Sequence, residues 1–255
     1  MKNTVFELIQ RHASVRKFTK EPVAKSIIES IISASQRAST SSNLQAYTVI
    51  AVNETNKIAS LSEICGHQQF IQEAPVFLIW CADLARIDRA CQLRGYKQDT
   101  SHLESFLVAV IDTALAAQNA ALAAESIGLG ICYIGAVRNH PEKAIDLLAL
   151  PRLTFPIIGM TIGWPSKQPK IRPRLGLRAI LHWNRYDRTN EDEDLFEYDQ
   201  AMINSGIYKG RHIPLQDHSD NFEDYGWTEH TARRVSKAAR IELRTSIEKQ
   251  GFGFL

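Results

Sequence analysis

The segment from His12 to Phe18 holds the first group of side chains that could bind a ligand. His12, Ser14 and Arg16 stand at alternate positions, so an extended backbone would place all three on one face. Two potential cations and a hydroxyl on one face could bind a phosphate or another anion. The same residues are also typical of a solvated basic strand edge, so this segment alone leaves both interpretations open.

Two further polar segments could contact a flat, polar ligand. Thr40, Ser42 and Gln45 belong to a run of hydroxyl and amide side chains, although such a run is also typical of a loop that caps a helix. Gln68 could donate and accept hydrogen bonds at once, as the imide edge of a heterocycle requires. An exposed turn would carry the same glutamine.

Glycines and arginines mark two more candidate segments. The glycine-rich run over 128–135 would let the backbone approach a flat ligand closely. It does not match the dinucleotide fingerprint, because it does not lie between a first strand and a helix and its third glycine is misplaced. Arg172 and Arg174 flank Pro173, and in an extended segment both would face the same way, as a phosphate clamp requires. A solvated basic loop would contain them equally well.

Hydrophobic periodicity predicts the elements that position these residues. Helices are predicted over Val5–Arg11, Ser26–Ala38, 102–127 and Pro141–Leu148, with Gly128 as a left-handed C-cap. Strands are predicted over Tyr47–Val52, Val76–Ala82, Gly130–Gly135, Ile157–Trp164 and Ala179–Trp183. The polar stretch Asp83–Ser101 has no steady period and is interpreted as a loop. This order predicts a mixed α/β or α+β core.

Composition narrows the function classes. The chain has 255 residues, 44% of them hydrophobic, and a net charge of +2, so nothing attracts it globally to nucleic acid or an anionic membrane. Its four cysteines lack a close metal-ligand spacing, so no metal site is predicted. The first 18 residues contain no apolar signal core, which favours the cytoplasm. Residues 106–124 approach the length of a bilayer span, but Asp112, Gln118 and Asn119 favour a buried core helix.

The composition changes after residue 188. Residues 1–188 are predicted to form the core, and residues 189–255 a C-terminal extension of the same domain. The stretch Thr228–Lys249 is basic and helical in pattern, which could indicate a nucleic-acid or protein partner, or simply a solvated helix face. No helix-turn-helix or aromatic RNA-binding signature accompanies it.

Taken together and in this order, the segments resemble the flavin-dependent nitroreductase family. Within it, they are most similar to the NADPH-dependent branch that includes nitroreductase A and the bacterial FMN reductases. The resemblance covers residues 3–186 well and the tail more loosely. It implies an α+β flavoprotein with a mixed, mainly antiparallel sheet flanked by helices, a C-terminal helical extension, and a homodimer with FMN at the subunit interface.

The resemblance also implies which residues bind the cofactor and the nucleotide substrate. The implied FMN contacts are His12, Ser14, Arg172 and Arg174 at the phosphate, Arg16 on the pyrimidine side of the ring, Thr40, Ser42 and Gln45 along the ribityl chain and ring, Gln68 at the ring edge, and Ile134 and Gly135 past the ring. Lys209 or Arg211 would bind the 2′-phosphate of NADPH.

The implied activity is a ping-pong transfer of electrons from NADPH, or NADH, through FMN to a nitroaromatic, a quinone or a free flavin. Flavin supplies the chemistry, so no side chain is expected to act as a catalytic acid or base, and Arg16 would stabilise the reduced ring electrostatically. Two alternatives stay open: a flavin-binding protein without redox turnover, and a nucleic-acid-binding or partner-binding protein.

Overall fold

The computed structural model describes the backbone of residues 4–215 and 218–255, and the side chains outside 212–224. The helices are α1 (Thr4–Gln10), α2 (Lys25–Ser35), α3 (Thr55–Ile64), α4 (Gln69–Glu73), α5 (Ala85–Leu93), α6 (Leu103–Ser126), α7 (Pro141–Leu148), α8 (Glu191–Asn204), α9 (Trp227–Val235) and α10 (Leu243–Lys249). The strands are β1 (Tyr47–Val52), β2 (Val76–Asp83), β3 (Gly130–Ile134), β4 (Thr154–Gly163), β5 (His212–Leu215) and β6 (His218–Asp224).

Four strands form one antiparallel sheet in the order β1-β2-β4-β3. Every residue of the inner strand β2 is buried. Its successive side chains point to opposite faces, so Phe77 and Ile79 enter one core cluster while Leu78 and Trp80 enter the other. Helices α3, α4, α7 and α10 contribute to the first cluster, α2 to the second, and α6 to both. The α+β prediction is confirmed.

The long helix α6 is a helix of the core. Its small buried face carries alanines at 109, 116, 117, 120, 121 and 124, which let it approach the sheet closely. By length and composition, α6 is the one helix in the described residues that could cross a membrane, a test that core helices also pass. Just after the end of α6, Gly128 adopts the left-handed conformation (φ +89°) that was predicted for its C-cap.

The prediction of a loop over Asp83–Ser101 was wrong, since α5 occupies Ala85–Leu93. The carboxylate of Asp83 accepts hydrogen bonds from the amides of Ala85 (3.0 Å) and Arg86 (3.3 Å), which starts the helix. No residue of α5 is fully buried. Arg86, Asp88, Arg89 and Gln92 make the segment strongly polar, so its composition resembled that of a loop even though its apolar residues share one helix face.

The strand predicted over Ala179–Trp183 was also wrong. Leu177–Ala179 forms a 3₁₀ turn, and no strand pairs with the following residues within the part of the chain that the structure describes. Trp183 is 79% exposed, so this apolar run does not enter the core. The helical pattern over Thr228–Lys249 is two helices, α9 and α10, rather than one.

The chain divides into two compact units. One contains the residues up to Pro169 together with Arg240–Leu255, and the other contains Lys170–Ala239. The C-terminal residues belong to the first unit because Phe252, 1% exposed, packs against Phe106 with ring centroids 5.1 Å apart. That residues 1–188 form the core and residues 189–255 an extension of the same domain stays a prediction.

Candidate functional site

The segment that contains His12, Ser14 and Arg16 is anchored to the sheet by the residue between the last two. Val15 is buried, and its amide donates to the carbonyl of Ile131 (2.8 Å) in β3. Its side chain fills the space where a Cβ of Gly130 would stand, so only glycine allows this close approach. Ser14 is half-buried and Arg16 is exposed, which agrees with the predicted alternation around Val15.

His12 forms a hydrogen bond with an acidic side chain that the sequence motif did not indicate. Its Nδ1 lies 2.6 Å from Oε1 of Glu125 in the last turn of α6. The histidine side chain is 28% exposed and the glutamate side chain 12%. Burial, and then the Glu125 carboxylate, raise the pKa of Tyr133 on the neighbouring strand β3 well above its usual range.

The loop that carries Thr40, Ser42 and Gln45 has an unusual backbone. Ser42, Asn43 and Gln45 all adopt positive φ angles, between 47° and 56°. For side chains other than glycine this left-handed region is costly, so the surrounding structure must hold it. The side chains of Ser42 and Gln45 are exposed and that of Thr40 is half-buried, which leaves their polar groups accessible to a ligand.

The fully buried side chain of Asp112 holds this loop in place through two hydrogen bonds. One carboxylate oxygen accepts from the amide of Ser41 (3.0 Å) and the other from the amide of Ala46 (3.0 Å). One acid therefore fixes both ends of the loop. The sequence contained a signal for it, because Asp112 is the only acid in the apolar middle of α6, but its partners could not be inferred.

Helix α5 also holds this loop, through hydrogen bonds to backbone carbonyls at the end of the loop. Arg86 donates to the carbonyls of Gln45 (3.4 Å) and Tyr47 (3.2 Å) and pairs with the carboxylate of Asp83 (3.1 Å). The segment that was predicted as a loop thus positions one of the predicted ligand contacts.

The structure brings Arg16 and the Gln68 turn together. The guanidinium carbon of Arg16 lies 5.8 Å from the ring centroid of Phe70, close enough for a cation–π contact. Gln68 directly precedes α4, and its side-chain amide donates to the carbonyl of Cys65 (2.8 Å). Two segments that are far apart in sequence therefore present an arginine and an amide from one region.

The glycine-rich run ends in a short helical turn. Ile134 is buried at the end of β3, and Gly135 begins a 3₁₀ turn that ends at Arg138. The Arg138 guanidinium donates to the carbonyl of Ile157. Burial, and then the charge of Arg240, lower the pKa of Arg138.

Arg138 and Arg240 line a cleft of about 190 Å³. The cleft also contains His140 and Glu142, and Arg240 donates to the side-chain oxygen of Asn139 (3.0 Å). Sequence reasoning missed this pair, because Arg240 was counted only as one charge of the basic tail and Arg138 belongs to no motif.

Arg172 and Arg174 lie in the second unit, and both are exposed. Arg174 donates to the carbonyls of Arg172 (3.4 Å) and Pro173 (3.3 Å), so it folds back on its own segment. The hydroxyl of Tyr198 in α8 donates to the carbonyl of Pro173 (3.3 Å) and holds the segment against that helix. Neither arginine forms an ion pair within the described residues.

Lys209 and Arg211 follow α8 in the same unit, and their surroundings differ. The Arg211 guanidinium lies over the rings of Tyr208 (5.8 Å) and Tyr225 (5.7 Å). Burial raises the pKa of Tyr208, and Arg172 and Arg211 are both near enough to oppose that change. Arg172 and Arg211 therefore share one tyrosine neighbour, whereas the exposed Lys209 has no side-chain hydrogen bond or ion pair among the described residues.

Comparison with known proteins identifies the family of this chain. Residues 9–164 match the nitroreductase family, and residues 172–255 match the nitroreductase family, C-terminal domain. The chain belongs to the nitroreductase family. The family resemblance inferred from the scattered motifs is therefore confirmed.

Known members of the family match this chain over nearly its whole length. It is 36% identical to a Cr(VI) reductase from Pseudomonas sp. (strain G-1), over 98% of this chain and 99% of the relative. It is also 36% identical to an FMN reductase [NAD(P)H] from Bacillus subtilis (strain 168), over 98% of each chain. Among solved structures, NfrA2 of B. megaterium superposes with a TM-score of 0.91 at 34% identity and covers 100% of both chains.

Proposed function

We propose that this nitroreductase-family chain is an NAD(P)H-dependent oxidoreductase that holds FMN and reduces small acceptors such as nitroaromatics, quinones or free flavin. The full-length similarity to an FMN reductase [NAD(P)H] carries the proposal. The structure supports it through the accessible polar loop that Asp112 fixes at both ends. NADPH is the preferred donor in this proposal, and the cytoplasm is the proposed location.

The residues present suit FMN. The loop backbone around Ser42 is fixed in a strained conformation, which is typical of segments that clamp a ligand. The residues that would hold FMN are His12, Ser14, Arg172 and Arg174 at its phosphate, and Arg16, Thr40, Ser42, Gln45, Gln68, Ile134 and Gly135 along its ribityl chain and ring. When bound, FMN supplies the two-electron redox chemistry, and the side chains bind, orient and electrostatically tune it.

We also propose that the functional form is a homodimer. Leu107, Ile111 and Leu115 repeat along α6 at helical spacing and are exposed, and Phe6 and Ile9 of the adjacent α1 are exposed as well. Monomeric proteins rarely expose a contiguous apolar surface of this kind. A second copy of the chain would cover it, and the two-fold symmetry of such a contact would bring the same stripe from both subunits together.

The decisive test of this function is an anaerobic titration with NADPH. The purified protein should be yellow, NADPH should bleach it, and a nitroaromatic, a quinone or free flavin should restore the colour. A protein that binds no FMN would reject the proposal. A yellow protein that neither NADPH nor NADH bleaches would favour the alternative of a flavin-binding protein without turnover.

Replacing Arg16 with alanine should lower the midpoint potential of the bound FMN. A cation beside the ring stabilises the negative charge that arrives with two electrons, and Phe70 holds the Arg16 guanidinium in place. Loss of a charge-assisted contact of about 1.5–3 kcal/mol corresponds to roughly 30–60 mV for a two-electron couple. The measurement is a spectroscopic redox titration, with Arg16→Lys expected to keep most of the potential. An unchanged or raised potential in the FMN-loaded Arg16→Ala protein would contradict this role.

Replacing Lys209 and Arg211 together with alanine should raise the Michaelis constant for NADPH roughly tenfold or more and leave that for NADH nearly unchanged. Only NADPH carries the 2′-phosphate, so only its binding loses charge-assisted hydrogen bonds. The single variants separate the exposed Lys209 from Arg211, which is held by Tyr208 and Tyr225.

The matched control for nucleotide selection is Lys25→Ala with Arg89→Ala. It removes the same charge from two exposed positions outside the proposed site. Both nucleotides should bind this control like the wild type. If the Lys209 and Arg211 substitutions impair NADPH and NADH equally, the pair is structural and the 2′-phosphate is selected elsewhere.

A further inference from the structure

Glu125 occupies a position that is unfavourable for a carboxylate. It lies in the last turn of α6, which ends at Ser126, and its side chain is only 12% exposed. The C-terminal end of a helix carries a partial negative charge, and burial removes the water that would solvate an anion. A carboxylate that breaks both rules needs a compensating partner, and such local violations concentrate at functional sites.

His12 is that partner. The last turn of α6 contains no basic residue. Tyr133 lies near Glu125, but burial and the carboxylate itself raise its pKa, so its hydroxyl stays neutral. Two neighbouring cations are engaged elsewhere, since Arg11 donates to the carbonyl of Glu7 (3.2 Å) and Arg16 lies over Phe70.

The contact determines which atom of the His12 ring is available to a ligand. A carboxylate accepts hydrogen bonds and donates none, so the Nδ1 atom 2.6 Å from Glu125 carries a hydrogen. This leaves Nε2 as the only other polar atom of the ring. In the charged form of the ring Nε2 also carries a hydrogen, which an anion can accept. Carboxylates commonly orient functional histidines through the second ring nitrogen in this way.

We propose that Glu125 is a positioning residue for His12, fixing the imidazole through Nδ1 so that Nε2 binds the phosphate of FMN. This rests on the proposed function, which supplies the phosphate. The pair also screens the ligand from a nearby anion, because an unpaired carboxylate at this position would repel a phosphate. Glu125 itself contacts no reacting atom.

The test is a double-mutant cycle on the dissociation constant of FMN, measured by fluorescence quenching with full-length apoprotein. Glu125→Leu should weaken FMN binding roughly tenfold, whereas Glu125→Gln, which retains an acceptor oxygen, should restore most of the affinity. His12→Ala should weaken binding further, because it leaves the carboxylate unpaired. The double variant His12→Ala/Glu125→Leu should then bind FMN more tightly than His12→Ala alone. Independent, additive effects of the two substitutions would overturn the proposal.

A second readout separates positioning from general stability. The ¹⁵N chemical shifts of the His12 ring in the apoprotein should show a protonated Nδ1 in the wild type and in Glu125→Gln, and a loss of this preference in Glu125→Leu. Ring shifts that do not respond to Glu125→Leu, or an FMN affinity that does not follow them, would overturn the proposal. Absence of FMN binding by the wild type would instead reject the proposed function, and the ring shifts would still decide whether Glu125 fixes His12.

Discussion

Replacing Asp112 with alanine should lower the free energy of unfolding by about 2–5 kcal/mol and abolish most FMN binding. The amides of Ser41 and Ala46 both donate to this carboxylate, and both would lose their acceptor. The Ala46 amide is buried, and a buried donor without a partner costs about 1–3 kcal/mol, while the partly buried Ser41 amide adds less. The left-handed backbone between the two amides would no longer be held, so the loop would relax away from the conformation that presents Ser42 and Gln45.

Urea denaturation of the apoprotein measures the first effect, and FMN titration of the folded variant measures the second. Asp112→Asn retains one acceptor oxygen and should give intermediate values for both. The matched control is Thr113→Val, which removes a buried hydroxyl from the next position of α6 that bonds to the carbonyls of Cys81 and Ala109. This control should lose stability without losing FMN affinity. If a folded Asp112→Ala protein binds FMN like the wild type, the loop is not part of the cofactor site.

Placing lysine at Ile111 should convert the proposed homodimer to monomers. It should also release FMN, because the family resemblance implies that FMN binds at the subunit interface. Ile111 is 54% exposed in the middle of the apolar stripe on α6. A two-fold axis would bury the new ammonium group twice. If desolvation costs about 2–3 kcal/mol at each copy, the dissociation constant of the dimer rises roughly a thousandfold or more.

Sedimentation velocity at micromolar concentration, with absorbance at the flavin band, follows both consequences. Leu93→Lys is the matched control, because Leu93 is an exposed leucine that belongs to α5 and not to α1 or α6. It should remain a dimer and retain its colour. A wild-type protein that sediments as an FMN-loaded monomer would refute the homodimer. An Ile111→Lys protein that stays dimeric would place the interface elsewhere.

The elements that the sequence by itself determined are those with a complete local pattern. Tyr47–Val52 and Pro141–Leu148 were predicted with the bounds that the structure shows, because a run of β-branched and aromatic residues and a proline in the first turn of a helix are local features of the sequence. The family, and with it the α+β fold, also followed from the order of motifs along the chain. Helix α5 did not, since its mostly polar residues resembled a surface loop in composition.

Only the tertiary structure decided which side chains hold the candidate site. Asp112 is 71 positions from Ser41, and Glu125 is 113 positions from His12. Neither acid belongs to a motif, and a lone acid in an apolar helix has many conceivable partners. The pairs form because α6 packs against both the loop and the N-terminal segment. A buried carboxylate needs hydrogen-bond donors, and these two segments supply them.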